Sequence, residues 1–181
     1  IRDSQYLAAF FRTPLPDGDL LVSQGVAIEY TAQNRTELYD YPDTTGTQGE
    51  LGKIIVENRL LRDGWTYCKL FSLPLIRREA LRFDTGLSIC EDLVFVLGYL
   101  SHVRQIILRS GTYYHYQVCP DGTSLSQRRQ PAAETFRAGV LILAKQQALT
   151  ERFGITDPEY LAEAYSEHGL TNLARSISTT D

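Results

Sequence analysis

The stretch Ser88-Ile89-Cys90-Glu91-Asp92-Leu93-Val94-Phe95-Val96-Leu97-Gly98-Tyr99-Leu100 decides the reading of the fold. Ser88 and Glu91 have the S-x-x-E spacing of a capping box, in which the serine caps a helix start and the glutamate reaches back to the serine amide. The residues from Leu93 to His102 are nearly all apolar, and a helix that is apolar all round is a buried one. Glu91 and Asp92 therefore stand at the mouth of a core helix, at the positive end of its dipole. Successive helical residues point about 100° apart, so the two carboxylates cannot share one cleft. With Glu91 engaged by the cap, Asp92 is left over, and the helix start favours the ionised form that a general base must have. The plainer alternative assigns both carboxylates to stabilising the helix start.

Outward from this helix the chain alternates between strand and helix signals. Tyr6, Leu7, Phe10 and Phe11 predict a helix over Asp3 to Arg12, ended by Pro14. Leu20 to Ser23 and Val26 to Tyr30 predict a strand with a bulge or turn at Gly25, and residues 31–48 predict a polar loop. Leu51, Ile54, Ile55, Asn58 and Leu61 predict a helix closing at Asp63-Gly64. Past Trp65 to Phe71, a short helix over Leu75 to Leu81 and a loop over Arg82 to Leu87 lead into the core helix. Ile106 to Leu108 and Thr112 to Val118 predict two strands around Ser110-Gly111, and Cys119 to Ser126 a loop. Pro131 to Phe153 and Pro158 to His168, the second capped by Asp157, predict helices. The expectation is an α/β fold over residues 1–130 with a helical extension over 131–181.

Composition narrows the function classes. With 181 residues, 43% apolar and 22% charged, the chain has ordinary globular usage. A net charge of -4 and a pI near 5.4 supply no basic footprint, so nucleic acid is not an expected partner. Cys68, Cys90 and Cys119 are odd in number and form no CxxC, which predicts a reducing compartment and neither a disulfide framework nor a zinc site. There is no P-loop, GxGxxG, GxSxG or HExxH. A first residue other than methionine, in a chain with no methionine, reads as part of a longer polypeptide. Asp17-Gly18-Asp19 imitates a metal-binding D-x-D, but it precedes its strand instead of following one and reads as a turn.

One family resemblance stands out. Tyr67-Cys68-Lys69-Leu70-Phe71, then Leu75-Ile76, Leu81-Arg82-Phe83-Asp84, Gly86-Leu87 and Glu91-Asp92-Leu93-Val94-Phe95 resemble the second half of family 2 glycosyltransferases of bacterial surface-polysaccharide type. Tyr113-Tyr114-His115-Tyr116, with Ser124 and Ser126 after it, resembles that family's Tyr-x-Tyr strand and following serines. The resemblance implies the C-terminal part of a GT-A, Rossmann-like transferase fold acting on a nucleotide-diphospho-sugar donor and a glycan or lipid-linked acceptor. It implies Asp92 as base of an inverting displacement, with Glu91 supporting it and Lys69, Tyr67 and Trp65 shaping the cleft. Lys69 could equally partner Glu91 or Asp92. A divalent cation, magnesium or manganese, is expected through a D-x-D upstream of Ile1, with no metal ligand in this chain. Gln127-Arg128-Arg129-Gln130 departs from the processive Q-x-x-R-W, so polymer synthesis is not implied. A cytoplasmic location follows, with peripheral association at the inner membrane face as a further expectation for the full-length protein. The rival reading is a non-catalytic binding or assembly module that retains part of the fold. A carboxylate metal site unrelated to sugar transfer would need a third ligand near Glu91-Asp92.

Overall fold

A computed structural model of the chain describes residues 3–118 and 130–178. It is a mixed α/β protein. Strand β1 (Leu20–Tyr30) runs parallel to the long strand β5 (Gln105–Val118), and this pair is the centre of the sheet. Along the other edge of β1, β4 (Lys69–Phe71) pairs antiparallel with Leu21 to Ser23, and β2 (Arg35–Tyr39) with Val26 to Tyr30. The short β3 (Thr44–Thr47) lies antiparallel to the start of β5.

The central strands are apolar on both faces because both are covered. Leu21, Ile106 and Leu108 point into the main core with α2 (Leu51–Glu57), α3 (Leu73–Arg78) and α4 (Glu91–Leu100). Their neighbours Leu20, Val22 and Ile107 point the other way, under Tyr6 and Phe10 of α1 (Tyr6–Phe10). Every residue of α4 from Leu93 to Leu100 is buried, as its apolar sequence predicts. The Tyr99 hydroxyl donates to the Leu20 carbonyl at 2.6 Å and accepts from the Ser72 amide at 2.6 Å, fastening α4 to β1 and to the start of α3.

After residue 130 come α5 (Ala132–Phe153), α6 (Pro158–Ala164), a π-helical stretch (Tyr165–Leu170) and α7 (Thr171–Ser178). Ala138, Ile142, Leu149, Tyr160 and Ala164 join the same core as Leu97. Buried Gln146 donates to the carbonyls of Leu61, at 3.0 Å, and Ala164, at 2.8 Å. Asp157 is the N-cap foreseen, accepting from the Tyr160 amide at 3.0 Å. Asp157→Ala should lower stability by about 1 kcal/mol in a thermal melt.

Several boundaries differ from expectation. Residues 31–48 hold β2 and β3 rather than a loop. α2 ends at Glu57, short of Asp63-Gly64, and Pro131 is the N-cap of α5 rather than its first residue. The two strands expected around Ser110-Gly111 are one strand, whose pairing with β1 jumps from Gln24–Arg109 to Val26–Tyr114. Gly111, at φ 106°, lies inside that irregularity, a conformation glycine adopts without strain. The loop expected over Cys119 to Ser126, Gln127 to Arg129 and the two serines of the family pattern fall outside the described residues.

Candidate functional site

Lys69 enters the interior because β4 pairs with β1, which sets it opposite Ser23. A buried ammonium requires a partner and hydrogen bonds. Its direct partner is Asp63, at 2.6 Å, rather than Glu91 or Asp92, and the two side chains are 1% and 7% exposed. Lys69 also donates to the Trp65 carbonyl at 3.0 Å. Asp63 accepts in addition from the Trp65 amide, at 3.1 Å, and from the Tyr41 hydroxyl. Burial, then the negative Asp63, pushes the Tyr41 hydroxyl well above the ordinary tyrosine range. The sequence reading gave Asp63 only a place at a helix end. The available signal was an aspartate next to glycine, six residues before a lysine.

The Asp63–Trp65 turn sits directly on the first turn of α4. A Cβ on Gly64 would come within 2.8 Å of the Leu93 Cβ, so glycine is what permits the approach. Glu91 and Asp92 open α4 as foreseen, both half-buried, but the capping box is absent. Cys90 is the N-cap, left-handed at φ 57°, with no side-chain cap bond. Ser88 instead faces α5: its hydroxyl donates to Glu134 at 2.5 Å, and its amide donates to the same carboxylate at 3.1 Å. Its hydroxyl also lies 2.7 Å from the Gln130 side chain. Glu134 thus takes the place that Glu91 was expected to fill.

Asp92 departs from the expectation that the helix start would favour its charge. Burial, and after it the neighbouring Glu91, raises its pKa above the usual aspartate value. Hydrogen bonds from its own amide and that of Leu93, and the charge of Lys69, pull the other way and do not cancel the cost. A carboxylate kept partly out of water by an opposing set of forces is the environment in which acid–base groups are tuned.

The aromatic residues gather toward the carboxyl end of the parallel pair, where open α/β sheets bind ligands. Tyr67 stacks on Tyr114 at 4.2 Å and lies parallel to Tyr116 at 5.8 Å. Those two tyrosines are paired with Val26 and Ile28 of β1. The Tyr6 hydroxyl donates to the Tyr67 carbonyl, and Trp65 meets Tyr39 edge-on at 5.0 Å. The five residues singled out from the sequence, Trp65, Tyr67, Lys69, Glu91 and Asp92, thus fall in two adjoining pieces, joined through the Gly64 contact.

No protein-family model matches this chain, and no curated protein matches it either. Among the described residues no group of three or more His, Cys, Asp or Glu side chains is placed to hold a metal ion. A third ligand beside Glu91-Asp92, which a carboxylate metal site would need, is not found among them. Asp19 lies at the amino end of β1, away from this cluster, paired with Arg78 at 2.9 Å and Arg104 at 3.6 Å. No helix among the described residues is long and apolar enough to cross a membrane.

Proposed function

We propose that this chain is the acceptor and base half of a GT-A-type, family 2-like glycosyltransferase that moves a sugar from a nucleotide-diphospho-sugar to a glycan or lipid-linked acceptor. The observation that carries this reading is Asp92. It stands half-buried on the first turn of a core helix, with its charge disfavoured by burial, beside the turn that bears Trp65 and Tyr67. In the reaction the acceptor hydroxyl gives its proton to the Asp92 carboxylate as its oxygen attacks the anomeric carbon. The bond from that carbon to the diphosphate breaks on the opposite face, so the configuration inverts. Glu91 holds negative charge next to Asp92 and keeps it basic. Tyr67 and Trp65 offer aromatic surface to a sugar ring. A divalent cation, held by residues outside this chain, would neutralise the departing diphosphate.

The 181 residues alone should therefore bind nucleotide sugars weakly or not at all. Calorimetry with UDP and manganese checks this. Micromolar binding would mean that a donor site lies within these residues. Transfer assays on the full-length protein with a panel of nucleotide sugars test the activity. Failure of every donor would favour a binding or assembly module instead.

A further inference from the structure

We infer that Asp63 is the positioning residue of this site: it fixes Lys69 and the Trp65 turn against the first turn of α4, the turn that carries Asp92. The inference rests on the reading of Asp92 as base and names the residue that holds the neighbouring turn in place. Three observations on the geometry support it. Asp63 collects Lys69, the Trp65 amide and the Tyr41 hydroxyl on one carboxylate, which joins β4, the turn and the segment after β2. Lys69 uses a further donor on the Trp65 carbonyl, closing a ring through the turn. Gly64, inside that turn, leaves no room between it and Leu93, the residue after Asp92. Turn and helix start cannot shift independently.

The charged and titratable groups around Asp92 act in opposed directions. Glu91 on the same helix disfavours its ionisation, and Lys69 from β4 favours it. The Cys90 thiol, kept neutral by burial, precedes the pair and itself feels Arg175 of α7. Asp63 offsets part of the Lys69 charge. Water screens buried charges poorly, so removing either member of the pair should reach Asp92.

The test is a carbon-13 titration of the Asp92 carboxyl in the 181-residue chain, with sucrose present to keep weakened variants folded. Lys69→Gln should raise the Asp92 midpoint by about half a pH unit or more. Asp63→Asn should lower it, because Lys69 then acts without its counter-charge. The double variant, similar in size and neutral, should rise less than Lys69→Gln, since the positive charge is lost together with its counter-charge. Shifts of the two single variants in the same direction would overturn the inference. So would a double variant whose midpoint stays at the wild-type value, a result that decides the matter even if the single variants do not fold. In the full-length protein the acid limb of kcat/KM should move with the titration. A titration shift without movement of the limb would sink Asp92 as base and leave the Asp63–Lys69 coupling standing.

Discussion

In the full-length protein Asp92→Asn should reduce sugar transfer by about 10²- to 10⁴-fold, the usual contribution of a general base. The amide keeps the size and loses the basicity. The same variant should melt at or above the wild-type temperature at neutral pH. The reason is linkage: a carboxyl whose pKa is raised on folding adds stability at pH below its unfolded value, and that stability is lost as pH rises through the folded value. Asp92 is raised, first by burial and then by Glu91, so at neutral pH the wild-type protein bears the cost of ionising it. Asparagine does not. The acid limb of the wild-type rate profile should accordingly lie above the ordinary aspartate range. If Asp92 served only the helix dipole, the amide would instead cost a few tenths to about 1 kcal/mol and leave turnover intact. Turnover and melting temperature measured on one preparation separate the two, and a destabilised variant with normal transfer would end the catalytic assignment.

Asp63→Ala should cost about 3–5 kcal/mol, the largest stability loss expected at the site, because it strands a buried ammonium. Lys69 Nζ, the Trp65 amide and the Tyr41 hydroxyl would all lose the same acceptor. Asp63→Leu combined with Lys69→Met should recover most of that loss, since an apolar pair avoids desolvating two charges. Urea denaturation of both variants gives the comparison. An Asp63→Ala variant within about 1 kcal/mol of wild type would mean that the Lys69 ammonium reaches water and is not held in the interior.

Much of this architecture was legible because burial writes a local pattern. Leu20, Leu21 and Val22 alternate between two cores, and the run from Leu93 to Leu100 is apolar on every side because the helix is enclosed on every side. Asp157 ahead of Pro158 announces its own helix start. β2 carried no such signal: Arg35 to Tyr39 lie at a sheet edge and stay largely exposed, so nothing in their apolar spacing marks a strand. They are a strand because the carboxyl half of β1 offers unpaired backbone groups to Val26's partner Tyr39 and its neighbours.

The site divides in the same way. That Glu91 and Asp92 begin a core helix, and that Trp65, Tyr67 and Lys69 lie in the segment before it, was determined by the sequence alone; that Lys69 turns inward on β4 was not. Which carboxylate answers which donor was decided only by the tertiary structure. Ser88 bonds Glu134, 46 residues away, instead of the glutamate three residues on, and Lys69 takes Asp63 instead of the acidic pair on α4. Even the direction of the Asp92 shift is set first by burial once the elements have packed, and then by Glu91 beside it, against the pull of the helix-start amides. Spacing along a chain sets which face of an element is apolar. The energy of a charge depends on the distances and the water left around it once the elements have packed.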